Sequence, residues 1–146
     1  MTVRRFRPGG TPLRVLLVND DKDSLDLYAQ IMSPYGIVAD TTVNVGDALR
    51  LILENRYDVV VTDLIIGVGK GRSKRSGYLT GVDLIDTANS ELASRGLPSP
   101  RWVMISGHPL DDVRDRFGFS LIENLGVQYL RKPLDVEDLV SALQTS

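Results

Sequence analysis

Five short apolar runs divide this chain, and most are followed by a segment with a different periodicity. The first, Leu13 to Val18, is rich in leucine and valine, as expected for a strand that is buried on both faces. Comparable runs cover residues 37–41, 58–62, 101–105 and 127–130. None approaches the ~20 residues that a membrane-spanning helix needs. The chain is therefore predicted to contain five strands of one buried sheet.

Apolar residues between and after these runs recur three or four residues apart, which is typical of amphipathic helices. A weaker helix is predicted over residues 111–124. Five β-α units in series predict an α/β fold, a doubly wound parallel sheet with helices on both faces. The inward faces of the clearer helices are predicted to carry Leu27, Ile31 and Met32; Val45, Ala48, Leu49 and Ile52; Leu84, Ile85, Ala88 and Leu92; and Val136, Leu139, Val140 and Leu143.

The composition fits one domain. The chain has 146 residues, of which 42% are hydrophobic and 25% are charged, close to the averages for globular proteins. The absence of cysteine excludes disulfides, thiol catalysis and thiolate metal sites, and it suits the cytoplasm. A net charge of −2 gives no general attraction to nucleic acid. We expect a cytoplasmic protein that contacts neither nucleic acid nor a membrane directly.

The first twelve residues are predicted to form a flexible arm outside the domain. The stretch from Pro8 to Pro12 contains two prolines and two glycines, which do not propagate a helix or a central strand. Three arginines make this arm basic. Residues 13–146 are predicted to form the single domain, and we expect no separate output domain.

Polar side chains follow four of the five runs, at the point where each strand ends. They are Asn19 and Asp20 after the first run, Asp63 after the third, Ser106 after the fourth and Lys132 after the fifth. The carboxyl ends of parallel strands gather at one edge of the sheet, where open α/β sheets bind their ligands. These side chains should therefore converge.

Two carboxylates, a hydroxyl and a lysine in one place can hold a divalent cation and a phosphoryl group. Mg²⁺ prefers oxygen ligands, and we expect the carboxylates of Asp20 and Asp63 and the backbone carbonyl of Ile65 to supply them. Asp63 is the better nucleophile because its strand is expected to lie in the middle of the sheet. Ser106 offers a hydroxyl donor, and Lys132 offers a positive charge for the phosphoryl oxygens.

Four motifs, in order, resemble the motif set of response-regulator receiver domains over about residues 13–145. They are Val18-Asn19-Asp20-Asp21, Val60-Val61-Thr62-Asp63, Met104-Ile105-Ser106-Gly107 and Tyr129-Leu130-Arg131-Lys132-Pro133-Leu134. The resemblance implies a flavodoxin-like sheet in the order 2-1-3-4-5. It also implies that Asp63 is the phosphoacceptor, that Asp20 is a magnesium ligand, and that Ser106 and Lys132 contact the phosphate. Ser106 and Tyr129, the rotating aromatic residue of the family, would form the switch.

The same resemblance implies a role in two-component phosphorelay signalling. A histidine kinase or a phosphotransfer protein would donate the phosphoryl group. The protein would not be an enzyme beyond its own phosphorylation and dephosphorylation. Phosphorylation would switch the binding of a downstream protein to the family's face of helix 4, strand 5 and helix 5, and it could also promote a homodimer.

Three departures from the family pattern bear on these expectations. Asn19 stands where the family usually has an acid; its amide can still bond a metal-bound water, and we predict weaker magnesium binding. The connection from Asp63 to Gly81 contains 17 residues, against a usual ~2–6, and includes a basic insertion at about residues 66–80. This insertion could screen the site, gate it or contact an acidic partner. Residues 117–120 extend or interrupt the predicted fourth helix.

Two alternative functions remain open from the sequence. One is a pseudo-receiver, an interaction module that keeps the fold and never carries phosphate. The Asn19 amide and the long connection favour it, whereas the retained Asp63 and Lys132 argue against it. The other is a metal-dependent phosphohydrolase, which usually needs a second acid soon after its nucleophile. Here Asp63 is followed by Leu64-Ile65-Ile66, which argues against this class.

Overall fold

The computed structural model of the protein describes residues 12–63, 80–106, 127–132 and 135–144. The predicted helix over residues 111–124, nearly all of the predicted arm and nearly all of the basic insertion lie outside these residues. The strands are β1 (Leu13–Val18), β2 (Ile37–Thr42), β3 (Val59–Asp63), β4 (Arg101–Ser106) and β5 (Gln128–Arg131). The helices are α1 (Lys22–Met32), α2 (Val45–Glu54), α3 (Thr80–Ser94) and α4 (Val136–Gln144), the last being the fifth helix of the predicted series, and a 3₁₀ turn (Ser33–Tyr35) follows α1.

The strands form one parallel sheet in the order β2-β1-β3-β4-β5. This arrangement confirms both the predicted α/β class and the order 2-1-3-4-5. Because neighbouring strands are parallel, each connection returns the chain across a face of the sheet before the next strand begins. All the carboxyl ends consequently lie at the same edge.

Two apolar layers cover the two faces of the sheet. Consecutive residues of β1, such as Leu16 and Leu17, are buried in opposite layers, as the twofold period of a strand requires. The layer around Leu16 contains residues of α2 and α3, and the layer around Leu17 contains residues of α1 and α4. Trp102 lies in the first layer, where its indole N–H donates to Asn89 Oδ1 at 3.0 Å. This hydrogen bond adds to the apolar packing that holds α3 against β4.

The predicted inward face of α1 is partly wrong. Met32 is fully buried, but the side chain of Leu27 is 52% exposed, and Leu25 is buried in the layer around Leu17 instead. The helix begins at Lys22 after a cap by Asp21, two residues before the start suggested by the sequence. With the helix so placed, Leu25 and Met32 lie seven residues apart on the stripe that faces the sheet. For α3, the inward residues predicted from the sequence are confirmed as buried.

β1 has the predicted bounds, whereas the other four strands each end one residue beyond the predicted end. β3 runs to Asp63 because the ladder with β4 continues to the pair Asp63–Ile105. β4 likewise includes Ser106, which pairs with Arg131. The polar residues expected just beyond two strands are therefore the last members of those strands, and the sheet's own hydrogen bonds fix their backbone.

Charged side chains also make hydrogen bonds at the amino-terminal edge of the sheet, where the strands begin. The Arg101 guanidinium donates to the carbonyl oxygens of Ala142, at 2.8 Å, and Leu143, so it satisfies two of the C-terminal carbonyls of α4. The backbone N–H of Arg14 donates to Asp58 at 2.8 Å. Among the helices that the structure describes, none is both long and apolar enough to cross a membrane.

Candidate functional site

The sheet register brings the predicted site residues to one edge. Val18 pairs with Thr62, so Asn19 follows β1 at the level where Asp63 ends β3. Ser106 ends β4, and the backbone N–H of Lys132 donates to the Ser106 carbonyl at 2.8 Å. This bond extends the β4–β5 ladder by one residue and places Lys132 beside the end of β4. The predicted convergence of these residues thus follows from strand pairing.

Asp63 and Lys132 form a direct ion pair. The Lys132 Nζ lies 3.1 Å from Asp63 Oδ1. The Asp63 side chain is 10% exposed, whereas the Lys132 side chain is 41% exposed. A mostly buried carboxylate is thus paired with a lysine that still reaches water.

The electrostatic environment of Asp63 disfavours its negative charge. Burial is the largest cause that raises the pKa of Asp63, and the charges of Asp20 and Asp21 raise it further. The Lys132 charge and its hydrogen bond lower the pKa of Asp63, but they offset burial only in part. The protein therefore leaves a deficit of positive charge at this carboxylate, which an additional cation would fill.

The loop after β1 is held by its own side chains. Asn19 Oδ1 accepts a hydrogen bond from the backbone N–H of Asp21 at 2.8 Å. Asp21 is the N-cap of α1: its carboxylate accepts from the backbone N–H of Asp23 at 3.1 Å and from the Ser24 hydroxyl at 2.8 Å. The Ser24 hydrogen bond lowers the pKa of Asp21. Asp21 is thus engaged as a helix cap.

The oxygen atoms available at this edge of the sheet are of the type that Mg²⁺ prefers as ligands. Asp20 is exposed, and its charge acts on Asp63, so these two potential oxygen ligands lie in the same region. No group of three or more acidic or histidine side chains within the described ranges could hold a metal by itself. Mg²⁺ does not require one, since it is commonly bound by one or two carboxylates and keeps several waters. The backbone carbonyl of Ile65, the predicted third ligand, lies outside the described residues.

The two predicted switch residues occupy different settings. Ser106 is 4% exposed at the end of β4. Tyr129 is half-buried, pairs with Met104 across the ladder and packs against the layer that contains α2 and α3. Their role as switch residues, including any movement on phosphorylation, stays a prediction.

Thr62 is a residue whose part in the site the sequence did not suggest. It is fully buried before Asp63, and its hydroxyl donates to the Asp63 carbonyl at 2.9 Å. A hydroxyl inside an otherwise apolar strand was the available signal, because a buried polar group needs a partner. Thr62 fixes the backbone from which the Asp63 side chain projects.

Two cavities differ in their relation to this chemistry. A small one, of about 10 Å³, is lined by Asn19, Asp63 and apolar residues of the sheet and of α1. A larger one, of about 400 Å³, lies at the opposite edge between the end of α2 and the α3–β4 connection. Its acids are already engaged: Glu54 pairs with Arg50, and Asp58 accepts from a backbone N–H. The candidate site residues Asn19 and Asp63 border the small cavity, and neither borders the larger one.

Comparison with solved structures decides the class of fold. A CheY-like receiver domain from Methanospirillum hungatei JF-1 is 20% identical with a TM-score of 0.68, and the match covers 90% of each chain. The fold is that of the response-regulator receiver domains. A receiver domain from Methylobacillus flagellatus is 24% identical with a TM-score of 0.65, over 90% of this chain and 96% of that one.

A third structure with the receiver fold carries a modified residue. It is a response regulator protein from Burkholderia pseudomallei with a phosphorylated aspartic acid, a calcium ion and citrate. It is 22% identical with a TM-score of 0.67, and the match covers 91% of this chain and 67% of that one. No protein-family model matches the sequence. Identities at this level establish the receiver fold, and the function has to be argued from the site.

Proposed function

We propose that the protein acts in two-component signalling as a magnesium-dependent phosphoryl acceptor, with Asp63 as the residue modified. The observation that carries this proposal is the Asp63–Lys132 pair, 3.1 Å apart at the carboxyl edge of a receiver fold. A buried carboxylate next to a partly exposed lysine and a second acid combines a nucleophile, a positive charge for the phosphoryl oxygens and a second oxygen ligand for a cation. Asp20 supports the proposal as the second oxygen donor.

In the proposed reaction, an Asp63 carboxylate oxygen attacks phosphorus and forms a new P–O bond. The bond between phosphorus and the donor breaks, and the donor's leaving group takes the electron pair. Lys132 moves its charge from the carboxylate to the phosphoryl oxygens, and the Ser106 hydroxyl donates to one of them. Asp20 and Asp63 would hold Mg²⁺ together with water, and the ion would supply the positive charge that the site lacks.

The proposed partners follow from this chemistry. A histidine kinase or a phosphotransfer protein would present a phosphohistidine, whose imidazole is the leaving group. A downstream protein would read the modified state on the face to which β5 and α4 contribute. We include residues 13–146 in this single receiver unit.

The proposal is tested by intact mass measurement after incubation with acetyl phosphate. With Mg²⁺ present, we expect one added phosphoryl group per chain, and with the cation chelated we expect almost none, because the charge deficit at Asp63 is then unfilled. Acetyl phosphate removes the need for the unidentified kinase. Absence of an adduct at high donor and high Mg²⁺ would overturn the proposal and favour a pseudo-receiver.

A further inference from the structure

The larger cavity, at the amino-terminal edge of the sheet, has one wall that is fixed by the turn after α3. In this turn the backbone N–H of Leu97 donates to the Leu92 carbonyl at 2.8 Å, and that of Gly96 donates to the Ala93 carbonyl at 3.1 Å. Gly96 has a φ of 71°, the left-handed conformation that such a helix end requires. Leu97 borders the cavity and is 39% exposed. The turn therefore holds an apolar, solvent-accessible residue at the cavity wall.

A second wall is formed by the end of α2 and the residues that follow it. Asn55 closes this helix, because its backbone N–H and its side-chain Nδ2 both donate to the Leu51 carbonyl, at 2.9 and 3.1 Å. The Tyr57 hydroxyl donates to Asp40 Oδ2 at 2.7 Å. Asn55 and Tyr57 both border the cavity. Because both walls are held by their own hydrogen bonds, a ligand would meet a preformed site and lose little free energy in ordering it.

The lining supplies space and apolar surface for a small molecule. The cavity has a volume of about 400 Å³, and small-molecule sites usually measure about 300–1,000 Å³. Ile52 and Leu92 are buried members of the apolar layer that contains residues of α2 and α3. Pro98 and Pro100 add apolar rings and offer no backbone N–H. We therefore expect an apolar group to fill most of this space.

One positive charge in the lining has no partner of its own. Arg56 is exposed and borders the cavity, and its guanidinium forms no ion pair or hydrogen bond with the residues that the structure describes. The acids of the same lining have other partners: Glu54 pairs with Arg50 at 3.3 Å, and Asp58 accepts from a backbone N–H. A carboxylate is the group that best matches a guanidinium, because it can accept two parallel N–H bonds.

We propose that this cavity is a second binding site, which takes a small molecule with an apolar body and one carboxylate. The apolar body packs against Leu97 and the buried leucine and isoleucine of the lining, and the carboxylate accepts from the Arg56 guanidinium. This inference goes beyond the proposed function and does not depend on it, because the cavity lies at the edge of the sheet opposite Asp63 and uses neither a phosphoryl group nor a cation.

The test is a titration of the ¹⁵N-labelled protein with 3-phenylpropionate, followed by two-dimensional NMR without metal or phosphodonor. We expect saturable shifts of the Arg56, Leu97 and Ser99 amides. 3-Phenylpropanol has the same apolar body without the charge and should bind about fivefold more weakly, the upper value for one exposed ion pair. Absence of saturable shifts at these amides, or shifts confined to other parts of the protein, would overturn the proposal.

3-Phenylpropylamine distinguishes the two possible signs of the ligand charge. The carbonyl groups at the ends of α2 and α3 favour a cation, whereas the unpaired guanidinium favours an anion. Several of these carbonyls are already engaged in the helix ends described above. We therefore expect the amine to bind no more tightly than the alcohol. An amine that binds as tightly as the acid would contradict the proposed ligand class.

Arg56→Gln isolates the contribution of the guanidinium. We expect this variant to bind the acid about fivefold more weakly and the alcohol within about twofold of the wild type. Arg95→Gln is the matched control: it removes an exposed arginine that pairs with Glu91 and does not border the cavity. Its affinity for the acid should change by less than about twofold. Equal losses in both variants would show a general electrostatic effect and would overturn the role of Arg56.

Leu97→Gln tests the apolar wall. The substitution keeps the approximate size of the side chain at an exposed position, so the fold should tolerate it. We expect both the acid and the alcohol to bind about threefold more weakly, because part of the apolar surface that the ligand covers is lost. Unchanged binding of both probes to Leu97→Gln would show that the ligand lies elsewhere and would overturn the proposal.

Discussion

Asp63→Asn is expected to abolish phosphoryl incorporation while making the folded protein more stable. The amide cannot attack phosphorus, so the adduct is lost. Burial and two neighbouring acids raise the pKa of Asp63. The ionised carboxylate therefore lowers the stability of the folded state. The amide removes that charge, and the released Lys132 remains solvated because its side chain is 41% exposed. We expect the free energy of unfolding to rise by about 1 kcal/mol at neutral pH.

Urea unfolding in the presence of a chelator measures this gain without the contribution of bound cations. Asp20→Asn is the control, because it removes an exposed acid of the same site and should change stability by less than about 0.5 kcal/mol. Since the pKa of Asp63 is raised in the folded state, acidification towards that pKa protonates the carboxyl and stabilises the wild type relative to the amide variant. The difference in free energy of unfolding between the wild type and Asp63→Asn should therefore become smaller as the pH falls from 7 towards 4. A less stable Asp63→Asn variant would contradict this account of the site.

Lys132→Gln is expected to slow phosphorylation by acetyl phosphate by about 100-fold, the usual cost of removing one preorganised group from the transferring oxygens. The same variant should bind Mn²⁺ more tightly than the wild type. Lys132 Nζ lies 3.1 Å from Asp63 Oδ1, so it competes with a cation for that oxygen. A damaged fold would weaken both properties, whereas the proposed role predicts opposite changes.

Lys22→Gln serves as the control for removing a lysine from the same region. Its ammonium pairs with Asp26 at 3.2 Å on the surface of α1 and takes no part in the site. The initial rate, followed by intact mass at several times, should stay within about twofold of the wild type. A Lys132→Gln variant that is phosphorylated at nearly the wild-type rate would show that Lys132 does not act on the phosphoryl group.

The fold class could be predicted because each strand corresponds to a short apolar run in the sequence. The run from Val15 to Val18 is apolar at every position, since both faces of β1 are covered by helices. The order of the strands could not be read from such runs and was supplied by the resemblance. The apolar runs did not give the ends of the strands. Asp63 is charged and was expected to follow β3, but it pairs with Ile105 and is the last residue of that strand.

Contacts between distant residues were not visible in the sequence. The choice between Leu25 and Leu27 on α1 depends on the phase of the helix, which the cap at Asp21 fixes. The bonds from Arg101 to the end of α4 join residues 41 and 42 positions apart and arise only when the helix has packed. The convergence of Asp63 and Lys132 was predictable because parallel strands force it. The use of the Asn19 oxygen in a turn required the structure.

The central claim is that Asp63 receives the phosphoryl group, and chemical trapping tests it most directly. The protein is phosphorylated with acetyl phosphate and Mg²⁺ and then reduced with borohydride, which converts an aspartyl phosphate to homoserine. Peptide mass spectrometry then locates the converted residue. We predict homoserine at position 63 and unmodified aspartate at positions 20 and 21. Conversion at either of those two residues, or none at any aspartate, would contradict the claim.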